Sequence, residues 1–218
     1  MAKVKKAFFC QNCGTQHTQW QGKCNGCKEW NTIIEEVITK EPLKEWSLEG
    51  ENKISKPIRI NDVKANDIPR IKTGDIEFDR VLGGGLVPGA VILLGGEPGI
   101  GKSTLLLQLA HKLKKKVLYV SGEESQHQIK LRASRMGLEM YNCFILSETI
   151  TQSIFSQIQN LNLKLLIIDS IQTLQSSHID SGAGSISQIR TTATELIQYA
   201  KTENVPLVLV GHITKDGA

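Results

Sequence analysis

The chain has 218 residues, 40% of them apolar, with 26 Lys+Arg against 22 Asp+Glu for a formal net charge of +4. That size allows one ordinary domain plus a small module, and the apolar fraction excludes wholesale disorder. The charge is too mild to point to nucleic acid by itself, and it is local: residues 1–30 hold five lysines against the single Glu29, and the rest of the chain balances.

Three zones follow one another. A cysteine-bearing module covers 1–31, a polar linker 32–70, and over 71–218 apolar strand-like runs alternate with helical patterns. No apolar run approaches the roughly 18–20 residues that span a bilayer. Charged and cysteine-bearing residues stand where a signal peptide places its apolar stretch. The expectation is a cytoplasmic protein with no membrane partner.

In the first zone Cys10-x-x-Cys13 and Cys24-x-x-Cys27 form two knuckles. Each pair folds back so that both sulfurs reach one tetrahedral Zn2+, and four cysteines close the site without His17. So short a segment builds little core, so metal binding carries most of its folding energy. The expected fold is a small rubredoxin-like zinc ribbon. Disulfides or a redox pair are the alternatives, disfavoured in a reducing compartment. Trp20 and Trp30 flank the second knuckle, placed either to stack on bases or a partner or to pack over the zinc core.

In the third zone the pattern predicts strands at 91–94, 117–121, 143–146, 165–169 and 207–210, and helices at 102–114, 125–136, 151–161 and 186–202. Leu105, Leu106, Leu109 and Leu113 recur on one face of the first helix. Such alternation predicts an α/β fold, a mainly parallel sheet with helices on both faces. Ligands of such sheets bind at the carboxyl ends of the strands. Cys143 reads as packing, His111, His127 and His178 as surface or satisfied histidines, and Lys114, Lys115 and Lys116 as cations favoured at a helix C-terminus.

Gly96-Glu97-Pro98-Gly99-Ile100-Gly101-Lys102-Ser103 fits the phosphate-loop pattern G-x-x-x-x-G-K-[ST] in full, between a predicted strand and a predicted helix. Glycines let the backbone turn several N–H groups onto an anion, and the helix N-terminus adds partial positive charge. These eight residues and Thr104 are the candidate nucleotide-binding set. Lys102 reaches the terminal phosphates and is read as catalytic as well as binding. Ser103 offers a hydroxyl to Mg2+.

Asp169 ends the apolar run Leu165-Leu166-Ile167-Ile168 and is the second Mg2+ candidate. Hydrolysis also needs a group to orient or deprotonate water. Glu123 and Glu124 follow the strand at 117–121, whose end is expected beside the phosphate-loop strand. Glu123 is the first choice for the base and Glu124 the second; helix capping by Ser121 or Ser125 is the alternative. His212, at the end of the last strand, is a candidate γ-phosphate sensor or a plain polar strand-end residue.

These motifs carry a resemblance. Phe9-Cys10-Gln11-Asn12-Cys13-Gly14, Trp20-Gln21-Gly22-Lys23-Cys24-Asn25-Gly26-Cys27 and Trp30-Asn31-Thr32 resemble the zinc finger of the RadA (Sms) family of bacterial DNA repair proteins. Asp79-Arg80-Val81-Leu82-Gly83-Gly84-Gly85-Leu86-Val87-Pro88-Gly89, the phosphate loop, Ser121-Gly122-Glu123-Glu124-Ser125 and Gly211-His212-Ile213-Thr214-Lys215-Asp216-Gly217 resemble the same family in the same order. The resemblance implies a RecA-like core that hydrolyses ATP under stimulation by DNA. It implies action on single-stranded or branched DNA, branch migration of recombination intermediates, and a hexameric ring with ATP between subunits. Recombinase or replication proteins are the implied partners.

The resemblance also places DNA-binding loops at 181–185 and 214–218, with Arg190 and Lys215 as charged candidates and solvated surface as the equal alternative. The family continues past a Lys-Asn-Arg-Phe-Gly motif into a Lon-protease-like domain. The sequence reaches neither, so the expectation is a core incomplete at its C-terminal end, with assembly and hydrolysis impaired. Two other functions stand beside the motor: a non-motor ATP-binding switch or adaptor, and an inactive fragment.

Overall fold

A computed structural model describes residues 4–39, 57, 59–62 and 69–212. The N-terminal part is a ribbon. β1 (Val4–Cys10) leads into the first knuckle, and β2 (Gln16–His17) folds back on it. β3 (Ile33–Thr39) pairs antiparallel with β1 along its whole length, from Val4 opposite Thr39 to Cys10 opposite Ile33. Residues 33–39, assigned from sequence to the linker, therefore form part of the ribbon sheet. Most of the remaining linker lies outside the described residues.

The second part opens with α1 (Ile76–Val81), capped by the Asp75 carboxylate, which accepts from the Phe78 N–H at 3.0 Å. There follow β4 (Val91–Gly96), α2 (Lys102–Leu113), β5 (Val117–Ser121), α3 (Gln126–Arg135), β6 (Cys143–Ser147), α4 (Thr151–Ile158), β7 (Leu165–Asp169), β8 (Ile179–Asp180), α5 (Ile186–Glu203) and β9 (Leu207–His212). A reciprocal capping box between Ser125 and Gln128 starts α3. Asn204 ends α5 in the left-handed conformation, its N–H on the Ala200 carbonyl. α4 stops three residues short of its predicted end, where the Leu161 N–H turns back to the Ile158 carbonyl at 3.1 Å.

Five strands form one parallel sheet in the order β4-β9-β7-β5-β6. Side chains alternate between its faces. Leu118, Val120, Leu166, Ile168, Leu207 and Leu209 pack on α4 and α5. Val117, Tyr119, Leu165, Ile167, Val208 and Val210 pack on α2 and α3. Every position of β5 and β7 is buried, which is why these central strands read as unbroken apolar runs. Each such side chain contributes about 1.5–3 kcal/mol on burial.

The order corrects one expectation. β5 does not lie beside β4: β9 and β7 separate them. The strand next to the phosphate-loop strand is β9, and its last residue, His212, is in register with Gly96.

β8 leaves the main sheet and pairs with β3, Val37 opposite Asp180 and Ile38 opposite Ile179. The ribbon sheet, in the order β2-β1-β3-β8, therefore takes its fourth strand from the α/β part.

Candidate nucleotide site and metal centre

The phosphate loop spans the gap from β4 to α2. Gly99 and Gly101 have φ of 80° and 99°, and a Cβ at either would meet nothing within 4 Å. Glycine is needed there for its backbone freedom, not for space. No side chain caps α2, so its first N–H groups keep their capacity for an anion. Lys102 is buried, and its ammonium donates to the carbonyls of Gly96 at 2.7 Å and Glu97 at 2.8 Å. Pro98, Ile100 and Glu97 are exposed at the mouth of the loop, while Ser103 and Thr104 are half-buried behind it.

Asp169 closes β7 with only 8% of its surface exposed. Its Oδ2 accepts from the buried Tyr119 hydroxyl. Tyr119 carried no signal in the sequence, where it reads as one apolar position of a core strand. The peptide bond between Asp169 and Ser170 is cis.

The two glutamates part company. Glu123 Oε1 accepts from the Ser170 hydroxyl at 2.9 Å and lies 3.4 Å from His212 Nε2. Glu123, Ser170 and His212 come from the ends of three strands and meet beside Gly96. Glu124 turns away and pairs with Arg132 of α3. The capping alternative holds in part as well. Ser121 Oγ accepts from the N–H groups of both glutamates, at 3.4 and 3.0 Å, and Ser125 caps α3. Gln172 ties this corner together, donating from Nε2 to the His212 carbonyl at 3.3 Å.

In the ribbon, the four sulfurs of Cys10, Cys13, Cys24 and Cys27 lie within 4.8 Å of one another. Cys10 and Cys27 are 3.6 Å apart, Cys13 and Cys24 3.5 Å. Zn–S bonds of about 2.3 Å in a tetrahedron give S···S edges of about 3.8 Å, so the set fits Zn2+. Thr15 and Thr32 place hydroxyls 3.0 and 3.2 Å from the Cys13 and Cys10 sulfurs. The Thr15 hydroxyl and backbone bring the Cys13 thiol down to about 6. At Cys10 burial opposes ionisation, but hydrogen bonds from Thr32 and the backbone outweigh it and the thiol is lowered. Burial raises Cys24. His17 stands outside the set, its Nε2 3.5 Å from the Cys24 sulfur and its Nδ1 against Gln21.

A clasp joins the ribbon to the α/β part. Arg190 donates from Nη1 to the Gly14 carbonyl and from Nη2 to the Cys13 carbonyl, each at 2.9 Å. Buried Glu36 accepts at one oxygen from Gln11 at 2.9 Å and from Ser187 at 2.8 Å. Arg190, offered to DNA by the sequence, is thus a structural partner of the first knuckle. The segment 181–185 joins β8 to α5, with the Ser181, Ser185 and Ser187 hydroxyls hydrogen-bonded among themselves. Residues 214–218, including Lys215, lie outside the described residues. Trp20 and Trp30 do not cover the zinc core: they are 60% and 66% exposed, with the Lys23 ammonium 5.4 Å from the Trp30 ring centre.

The other singled-out residues are plainly placed. His111 Nδ1 meets the Glu139 carbonyl at 2.9 Å, His178 faces Glu195 at 3.9 Å, and His127 is exposed. Cys143 is half-buried, and burial pushes its thiol up to about 12. Among the described residues no helix is long and apolar enough to cross a membrane.

Comparison with known proteins agrees with this geometry. A family model described as rubredoxin metal binding domain matches residues 8–35, the ribbon. The chain is 47% identical over 223 residues to the DNA repair protein RadA of Bacillus subtilis (strain 168), covering 100% of this chain and 49% of that protein. It is 49% identical over 220 residues to RadA of Streptococcus pyogenes serotype M1, covering 100% and 48%. To RadA of Escherichia coli (strain K12) it is 45% identical over 226 residues, covering 100% and 49%. The chain spans about half the length of the curated relatives it matches. A second family model, described as AAA domain, matches residues 55–218. With about three quarters of its length inside that match, the chain belongs to the AAA domain family.

Proposed function

We propose that this chain is the zinc-ribbon and ATPase portion of a DNA repair protein, one that hydrolyses ATP under stimulation by single-stranded DNA and drives branch migration of recombination intermediates. The observation that carries the reading is the meeting of Glu123, Ser170 and His212 beside Gly96. The similarity to RadA supplies the DNA repair context. A hexameric ring, recombinase or replication partners and a cytoplasmic location belong to the same proposal.

In this reading Gly96, Glu97, Pro98, Gly99, Ile100, Gly101 and Thr104 cradle the ATP phosphates through the loop backbone and the start of α2. Lys102 exchanges the Gly96 and Glu97 carbonyls for the β- and γ-phosphates. Ser103 and Asp169 hold Mg2+, which supplies charge neutralisation at the phosphate oxygens. Glu123 accepts a proton from the attacking water as its oxygen bonds to Pγ and the bond from Pγ to the ADP oxygen breaks. Ser170 orients that carboxylate. His212, one hydrogen bond from Glu123 and in register with Gly96, reports the γ-phosphate to β9. The ribbon holds Zn2+ for structure.

The test is ATP turnover by a form of the protein spanning the full length of its relatives, with and without single-stranded DNA. Stimulation by DNA, falling with added salt, and loss of turnover in Lys102→Ala are the expected results. Turnover that survives Lys102→Ala overturns the site. An adaptor reading has one observation in its favour, the exposure of Trp20 and Trp30. Absence of DNA stimulation together with salt-insensitive binding to a protein replaces the motor by that reading.

A further inference from the structure

We propose that Tyr119 is a positioning residue of the nucleotide site, whose hydroxyl donates to Asp169 and sets that carboxylate to receive the divalent cation. The inference rests on the reading of Ser103 and Asp169 as the Mg2+ pair.

Tyr119 sits in the middle of β5, which is separated from β4 by two strands. Its ring lies on the sheet face that packs against α2, the helix that carries Ser103. In register it faces Ile167, and Asp169 is two residues further along β7, on the same face. A phenol on this face therefore reaches diagonally past Ile167 to the strand end. The ring is 1% exposed, and the hydroxyl beyond it meets Asp169 Oδ2. Phenylalanine would fill the same space without burying a hydroxyl, which costs free energy unless paired.

The direction of the bond follows from counting protons. A phenol has one to give. The Asp169 carboxylate, an acceptor only, takes it. Asp169 keeps its second oxygen for a cation. Hard divalent cations need oxygen lone pairs in this form, and such outer partners fix the orientation of metal ligands.

The experiment uses Tyr119→Phe in the full chain and mant-ATP as the fluorescent probe, with affinity measured in EDTA and again in Mg2+. The affinity in EDTA is expected to stay at the wild-type value. The gain on adding Mg2+ is expected to fall about 10-fold, the scale of outer-partner losses at metal sites. Mn2+ binding in the presence of nucleotide, read by electron paramagnetic resonance, should weaken by the same factor. An undiminished Mg2+ gain in Tyr119→Phe, with Asp169→Asn abolishing it, overturns the inference and leaves the cation pair standing. Equal weakening with and without Mg2+ also overturns it, because general loosening of the core does that. A wild-type chain with no Mg2+ gain overturns the cation pair and the inference with it.

Discussion

Arg190 and Gly14 are 176 residues apart in sequence, yet the Arg190 guanidinium donates to the Gly14 carbonyl at 2.9 Å. The same side chain holds the Cys13 carbonyl, so one residue of α5 grips two consecutive carbonyls of a metal-binding turn. A charged group making two such bonds contributes about 1–3 kcal/mol. Arg190→Ala should lower the Tm of the zinc-loaded chain by roughly 2–10 °C. It should also speed amide exchange in β8. Arg190→Lys should recover little, because an ammonium does not reproduce the fork. Wild-type exchange in β8 of Arg190→Ala would show that the clasp carries no stability.

Gly14 is the receiving side. Its φ is 69°, and a Cβ there would stand 2.5 Å from Arg190 Nη1 and 2.6 Å from Ile186 Cγ2. Gly14→Ala should cost at least about 1–2 kcal/mol from the backbone alone, plus the displacement of α5 from the ribbon. Combining it with Arg190→Ala should cost less than the sum of the two, since one of the clashing groups is gone. A double-mutant cycle from denaturant melts measures this; strict additivity would count against the contact.

Metal removal exposes a ranking among the thiols. With a folded value of about 6 against an ordinary thiol value of 9.0, the Cys13 thiolate contributes stability to the metal-free ribbon. That contribution is complete above about pH 9, declines as pH falls, and is gone below about pH 6. At pH 7 the metal-stripped chain should alkylate at Cys13 before Cys24, whose thiol burial raises. Mass spectrometry after short iodoacetamide pulses at pH 5.5, 7 and 8.5 gives the order. Full protection of all four should return with one equivalent of Zn2+.

The glutamates offer a contrast inside one dipeptide. Glu123→Gln should retain nucleotide binding while losing turnover by about 100-fold or more. Glu124→Gln breaks a partly exposed pair with Arg132, worth about 1 kcal/mol or less. It should lower the Tm slightly and leave most of the turnover. Steady-state ATP hydrolysis of the two variants decides this, and equal losses would remove the distinction.

The α/β elements were legible because each is a local pattern. Val117–Ser121 and Leu165–Asp169 are apolar runs with polar or glycine boundaries, and their observed limits equal those expected. The phosphate loop and the four cysteines are legible for a related reason: their chemistry lies in spacing along the chain. Strand order is a nonlocal property, and the insertion of β9 between β4 and β7 leaves no mark in either strand. β3 was lost because its partner β1 is distant in sequence and both contain charged residues. β8 has two residues and no pattern at all. Arg190 and Tyr119 were misread or missed for one reason. A guanidinium at a surface and a tyrosine in a core are the commonest placements of those side chains, and only the partner tells them apart.

The pairing of β3 with β8 sets an order of events during synthesis. The knuckles and the β1–β3 hairpin are complete once residue 39 has left the ribosome, and all four thiols are then present. Residues 179–190, which supply β8 and Arg190, emerge about 140 residues later. The nascent ribbon therefore awaits its partner on the β3 edge until residues 179–180 have been made. Unpaired edges of that kind invite pairing with other chains. Early zinc capture is what holds this hairpin in shape until its fourth strand arrives.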